Sequence, residues 1–211
     1  MRYAALQRSW GDAVLSVIIA TQDSERVLVP TLATLVSGAA AGIVREVIVA
    51  DAGSRDATAE IADVAGCELR VAQGPLAKRL REAAAAARST WLMFLKPGTV
   101  LDATWVDEIS RFVEEVEQQG KVDSRIAVFR MAPSMGIDRS AVIEALAMLA
   151  AALSRPRPEQ GLIIFKRLYE RIGGHRDAAA DPERDLIARL GRRRIVRLRN
   201  AASFGAARPP T

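Results

Sequence analysis

The sequence predicts an α/β protein, a mostly parallel sheet with helices on both faces. Three observations predict it. Apolar runs alternate with stretches of helical spacing from residue 13 to residue 120. The runs are continuous and rich in β-branched residues, as in strands covered on both sides. Each run gives way to turn residues and then a helical stretch, the order from which βαβ units are built. In such sheets ligands lie beyond the carboxyl ends of the strands.

Taken in order, "AVLSVIIA" (13–20) is the first strand. "ERVLVPTLATLVSG" (25–38) has helical spacing and closes on glycine, a helix-end signal. "VREVIVA" (44–50) is the second strand, and "DATAEIADVAG" (56–66) a helix with Asp56 as N-cap and Glu60 in the acidic first turn. "CELRVA" (67–72) is the third strand and "PLAKRLREAAAAARS" (75–89) a long helix. "WLMFLK" (91–96) is the fourth strand, stopped by Pro97 and Gly98. "DATWVDEISRFVEEVEQQG" (102–120) opens on Asp102 as cap and sets Trp105, Ile109, Phe112 and Val116 on one side of a helix.

Past residue 120 the spacing loosens. Strands are expected at 124–132, 161–167 and 194–199, and helices at 139–153, 166–172 and 182–191, with "SRPRPEQG" (154–161) a loop. No internal repeat or interdomain linker interrupts the chain, so its 211 residues read as one domain, 1–211, with halves 14–100 and 101–199 and a loose tail, 200–211.

A net charge of +5 and a pI near 10.0 favour anionic partners such as phosphates, lipid head groups or nucleic acid. Basic clusters such as "GRRR" (191–194) have almost no aromatic residues interleaved, so single-strand nucleic-acid stacking is not expected. The single cysteine, Cys67, excludes an internal disulfide and a thiolate metal cluster, and its strand setting predicts an inert buried thiol. The single histidine, His175, excludes a histidine-based metal site. Residues 1–12 lack an apolar core stretch, so no signal peptide is expected. The apolar stretch 140–153 is shorter than the ~20 residues a membrane span needs and carries Glu144. A cytoplasmic protein is the expectation. The 139–153 helix is left with three readings: burial, homodimer contact, or peripheral contact with a membrane. Neither G-x-G-x-x-G after the first strand nor G-x-x-x-x-G-K-[ST] is present.

"LSVIIATQDSE" (15–25), "REVIVADAGSRDAT" (45–58) and "WLMFLKPGT" (91–99) fall in the order and spacing of V-I-I-P-T-x-N-E, E-V-I-V-V-D-(D/G)-G-S-T-D-x-T and L-F-L-x-x-D. Later, "EQGLIIFKRLYERIGGHRD" (159–177) and "PERDLIARLGRRRIVRL" (182–198) match a Q-x-x-F-x-R-R-x-F-x-x-x-G-G-F segment and an E-D-x-D-L-x-x-R-L segment. Together these resemble a family 2 glycosyltransferase of the GT-A fold, in a compact bacterial branch, from residue 14 to about 199.

The resemblance implies a nucleotide-sugar donor, a saccharide or lipid acceptor, and transfer with inversion. Residues 14–100 would be the nucleotide-binding half and 101–199 the acceptor half. It implies donor contacts at Thr21, Asp51, Gly53 and Ser54. Asp51 has a second reading, an acidic turn residue satisfying backbone amides. Asp23 stands where the family has asparagine; Asp23 and Ser24 read equally as base contacts or as the cap of the next helix. Ala52 removes one contact of the family pattern.

The chief departure is at the fourth strand, where Gly98 replaces the aspartate that would bridge to Mg²⁺ or Mn²⁺, cations that need oxygen ligands. No metal ligand is assigned. Lys96 and Arg81 are the candidates for neutralising the leaving diphosphate instead. Arg79, on the same helix but about 200° from Arg81, is expected on a solvated face. Glu183 takes the second acidic position of the E-D pair and is the candidate base, with Asp181 as substitute. "DPE" (181–183) is also a complete helix start by itself. Gln160, Gly174 and His175 would border the acceptor, His175 having the alternative of a surface loop residue. A catalytically degenerate member that binds a nucleotide or a partner is the competing functional reading.

Overall fold

The computed structural model describes residues 14–131 and 156–204. The expected 139–153 helix and residues 205–211 lie outside them. Eight strands form one sheet in the order β3-β2-β1-β4-β7-β6-β8-β5. They are β1 (Leu15–Thr21), β2 (Val44–Asp51), β3 (Glu68–Val71), β4 (Trp91–Leu95), β5 (Thr99–Leu101), β6 (Ile126–Met131), β7 (Leu162–Phe165) and β8 (Ile195–Phe204). The described helices are α1 (Glu25–Ala40), α2 (Thr58–Val64), α3 (Leu76–Ala86), α4 (Trp105–Gln118), α5 (Lys166–Arg171) and α6 (Pro182–Leu190).

From β3 through β4 the sheet is parallel, as the βαβα alternation requires. β7 runs antiparallel to both β4 and β6, and β5 antiparallel to β8, while β6 and β8 are parallel. The second half therefore mixes directions, which is where the sequence spacing loosens.

Side-chain alternation divides the core into two layers. Val17 and Ile19 of β1 and Trp91, Met93 and Leu95 of β4 face one layer with Leu28 and Leu35 of α1 and Trp105, Ile109 and Phe112 of α4. Ile18 of β1 and Leu92 and Phe94 of β4 face the other, under Leu80 and Ala84 of α3, Leu168 of α5 and Leu186 of α6. These side chains are at most 6% exposed, so the sheet is covered on both faces.

Three expectations change. Gly38 does not end α1: the helix continues to Ala40, and the left-handed turn is made by Gly42 at φ 73°. Gly38 is instead a contact point, because a Cβ there would lie 2.5 Å from the ring of Trp105. The last strand does not stop at Arg199. β8 continues to Phe204, since the short strand β5, which the sequence did not suggest, offers its edge to Ala202, Ser203 and Phe204. The stretch to residue 204 is therefore not a loose tail. Among the described residues no helix is long and apolar enough to cross a membrane.

Candidate functional site

The crevice forms where β1, β2 and β4 end side by side. Register sets Thr21 opposite Asp51 and Ile19 opposite Leu95, so Lys96, one residue past β4, falls beside the same edge. Asp51 is 1% exposed and its carboxylate is fully engaged. Oδ1 accepts from the hydroxyls of Thr21 at 2.7 Å and Ser54 at 2.5 Å. Oδ2 accepts from the amides of Gly53 at 2.8 Å and Ser54 at 2.7 Å. Burial alone would raise the Asp51 pKa; the Ser54 hydroxyl and amide, Thr21 and Gly53 outweigh it and hold it below the usual aspartate range. Gly53 supplies the φ of 87° that the turn needs. The turn reading of Asp51 thus accounts for both oxygens.

The first loop is laced to this turn. The Asp23 amide donates to the Ser54 hydroxyl at 2.9 Å, and Asp23 Oδ1 accepts from the Arg55 amide at 2.8 Å. Asp23 holds a φ of 46° to do so. Neither Asp23 nor Ser24 caps α1 through its side chain. That cap comes from the second loop: Asp56 accepts from the Glu25 amide at 3.0 Å, while Glu25 accepts from the Ala57 amide at 3.0 Å. Asp56 therefore serves α1 as well as its own turn at Thr58, because the two loops stand side by side at the sheet edge.

Neither arginine of α3 lies as expected. Arg79 is 7% exposed, and its Nη1 donates to the carbonyls of Thr21 at 3.0 Å and Ala50 at 2.8 Å, tying the ends of β1 and β2 together. Arg81, on the opposite side, donates to the His175 carbonyl at 2.6 Å and to Asp177 at 2.5 Å. Those bonds commit it to the 173–177 loop and away from a diphosphate. α3 packs its Arg79 side on the sheet, so the buried arginine is the one the crevice receives.

The expected acceptor residues are structural as well. His175 is 2% exposed, so the surface-loop alternative fails too. Its Nδ1 is 2.8 Å from the Tyr169 hydroxyl, and its ring stacks edge-on against Phe94 at 5.0 Å. Burial first, then the Arg189 and Arg81 cations, push its pKa down to about 3, so the imidazole is neutral at physiological pH. Gly174, at φ 55°, lies so close to Tyr169 that a Cβ would be 2.9 Å from its ring. Gln160 donates to the Phe129 carbonyl at 2.7 Å and accepts from the Arg157 amide at 2.8 Å, closing the 3-10 turn Pro158–Gln160. All three shape the loops beside β4 and β7, His175 through Nδ1 and Gln160 through its amide oxygen and nitrogen.

What the fold brings together is Lys96, Glu183 and a residue the sequence reading passed over, Glu159. Lys96 Nζ lies 3.2 Å from Glu159 Oε1 and 3.3 Å from Glu183 Oε2. The three side chains are only 27%, 20% and 18% exposed. They come from the end of β4, the 3-10 turn before β7 and the first turn of α6. Asp181 caps α6 by accepting from the Arg184 amide at 3.0 Å, and Pro182 follows; this fixes Glu183 one residue further on, toward Lys96. Asp181 itself caps the helix, is paired with Arg184 and is 43% exposed. Glu159 had a legible signal, an acidic residue directly before Gln160, but only the antiparallel pairing of β7 with β4 shows that it reaches Lys96.

Burial raises the Glu183 pKa above the glutamate range, against the pull of Lys96 and with help from Asp181 and Glu159. Burial acts on Glu159 in the same sense, but its own backbone amide and Lys96 prevail and hold it low. Burial tends to deprotonate Lys96; Glu183 and Glu159 more than offset this and keep it a cation. One carboxylate thus balances the ammonium, and the other stays a stronger base than an ordinary glutamate.

A divalent cation does not fit these residues. Among the described residues no three His, Cys, Asp or Glu side chains converge on a metal position. Gly98 has a φ of 93°, and a Cβ there would touch Val27 at 3.5 Å and Phe204 at 3.7 Å. Lys96 already supplies a positive charge at this strand end.

A parallel first half continued by a mixed second half in one eight-stranded sheet is the architecture of the GT-A class, to which the similar solved structures also belong. The model for the family described as "Glycosyl transferase family 2" matches residues 16–196, and the chain belongs to that family. No curated protein sequence matches it. Among solved structures, S. aureus TarS 1–349 aligns with a TM-score of 0.64 and 16% identity over 90% of this chain and 60% of that one. The same protein in complex with UDP-GlcNAc gives 0.62, 16%, 92% and 60%. Glucosyl-3-phosphoglycerate synthase from Mycobacterium tuberculosis, in complex with Mn²⁺, UDP and glucosyl-3-phosphoglycerate, gives 0.61, 16%, 98% and 76%. The likeness is one of fold, and the chain spans 60% of the length of TarS 1–349.

Proposed function

We propose that this chain transfers a sugar from a nucleotide-diphosphate donor to an acceptor hydroxyl with inversion, Glu183 acting as base. The observation that carries this reading is a partly buried glutamate of raised pKa held at the crevice edge beside a lysine. Glu183 takes the hydroxyl proton as the acceptor oxygen attacks the anomeric carbon. The bond from that carbon to the diphosphate breaks on the opposite side, and the nucleoside diphosphate leaves. UDP and UDP-GlcNAc, found with structures of the same fold, are the first donors to test. A saccharide or lipid acceptor and a cytoplasmic location belong to the same reading.

The alternative, a family member that binds without turnover, draws support from Gly98 and from an Asp51 whose oxygens are both spent internally. UDP release from UDP-GlcNAc and UDP-glucose separates the two. Glu183→Gln should abolish release while UDP still binds, at least as tightly as to the wild type, and the melting midpoint stays at its wild-type value. Binding without release by the wild type would select the alternative. Joint loss of binding and folding in Glu183→Gln would reduce Glu183 to a helix-start residue.

A further inference from the structure

We propose that the donor diphosphate binds without a divalent cation, on the Lys96 ammonium, and that Glu159 is the positioning residue that holds this ammonium at the end of β4. The inference rests on the transfer reading above and adds how the charge of the leaving group is met.

Two observations point the same way. At Gly98 the backbone lies in the left-handed region, and any side chain would meet Val27 and Phe204. The Gly98 amide is also committed, donating to the Thr31 hydroxyl at 2.8 Å and the Val27 carbonyl at 3.1 Å. The positive φ of 93° is therefore what disfavours an acidic residue at this turn, since the contacts with Val27 and Phe204 are ordinary van der Waals distances. Second, the cation present is held on two sides by carboxylates from separate elements, Glu159 at 3.2 Å and Glu183 at 3.3 Å. An ammonium has three donors, so with two directed at the glutamates the third serves a phosphoryl oxygen. Such charge-assisted hydrogen bonds are the strong ones, more so where the site is shielded from water.

The charge balance makes the arrangement testable. With both glutamates ionised, the three side chains sum to −1 and oppose an incoming diphosphate. A proton on Glu183 brings the sum to zero, and burial already favours that proton. Nucleotide binding should therefore take up a proton and tighten as pH falls. Turnover runs the other way, because the base must be ionised. Glu159, held low and paired with Lys96, keeps its charge throughout.

Calorimetric titration with UDP and GDP, each in EDTA and in MnCl₂, at a mildly acidic and a mildly alkaline pH, tests this. The wild type should bind one nucleotide equally with and without Mn²⁺, more tightly at the lower pH. Lys96→Met should weaken binding about tenfold or more, the scale of one charge-assisted hydrogen bond. Glu159→Gln removes a repelling charge and should tighten binding while lowering turnover, a split that a merely structural ion pair would not give. Binding that requires Mn²⁺, or Lys96→Met binding as tightly as wild type, would overturn the inference and leave the transfer reading standing. Absence of binding by the wild type in both conditions would overturn both. If Lys96→Met fails to fold, unchanged affinity in Glu159→Gln overturns the inference by itself.

Discussion

Thr21 and Asp51 end adjacent parallel strands directly opposite each other, and the Thr21 hydroxyl donates to Asp51 Oδ1 at 2.7 Å across 30 residues of sequence. Asp51 thereby joins β1, β2 and the following turn, and any part in donor binding is added to that structural role. Asp51→Asn turns an acceptor-only group into a partial donor that faces two amides and two hydroxyls. A loss of roughly 2–3 kcal/mol in folding free energy is expected without any ligand, the scale for disrupting a buried, charge-assisted network. Urea denaturation measures it; wild-type stability would mean that the turn holds without the carboxylate. Because the folded pKa lies below the unfolded one, this stabilisation is present above the unfolded value and is lost as pH falls through the folded value.

Glu183 should give the rate an acid limb. Its raised pKa places the rise of kcat with pH above the range of an ordinary glutamate. Glu159→Gln removes a neighbouring carboxylate and should move the limb to lower pH; Lys96→Met removes the cation and should move it higher. A pH–rate profile that none of these variants shifts would detach Glu183 from proton transfer.

His175 should make the fold acid-sensitive. Its folded pKa of about 3 lies below the unfolded value of 6.5, so the unfolded chain takes up a proton that the folded chain refuses. Stability is lost as pH falls below the unfolded value, by up to about 1.4 kcal/mol per pH unit until the folded value is reached. His175→Gln should flatten that part of the profile, at the cost of the contact with Tyr169. A profile between pH about 6.5 and 4.5 that is unaltered in the variant would contradict the assignment.

Gly38 is sized to the ring of Trp105, which a Cβ would approach to 2.5 Å, with Val44 at 2.8 Å. The indole Nε1 is fixed by the Thr34 carbonyl at 3.0 Å, so the ring cannot readily step aside. Gly38→Ala should destabilise by about 1–3 kcal/mol through overpacking, outweighing the gain in helix propensity. Thermal melting measures this, and a stabilised variant would show that the ring does move.

The first half of the fold was legible because its strands are buried on both faces. Continuous apolar runs such as Leu15–Thr21 and Trp91–Leu95 leave a pattern that needs no tertiary information. Strand β5 and the end of β8 were not legible, since Thr99–Leu101 becomes a strand by pairing with Ala202–Phe204, and that end of β8 is extended by pairing with β5 and, at Ala202, with Met131 of β6. The site divides in the same way. Asp51, Gly53 and Ser54 form a local turn whose bonds follow from their spacing, and "DPE" announces the start of α6.

Which polar side chains were free for chemistry was decided by the tertiary structure alone. Arg79 and Arg81, two residues apart, were separated by which side of α3 packs on the sheet. His175 and Gln160 were claimed by Tyr169 and Phe129. Lys96, Glu159 and Glu183, dispersed over 87 residues, met because β7 pairs antiparallel with β4 and α6 begins above that edge. Sequence spacing determines local conformation and the alternation of buried faces; the pKa of a glutamate depends on the charges and solvent around it, and those neighbours exist only once the chain has folded.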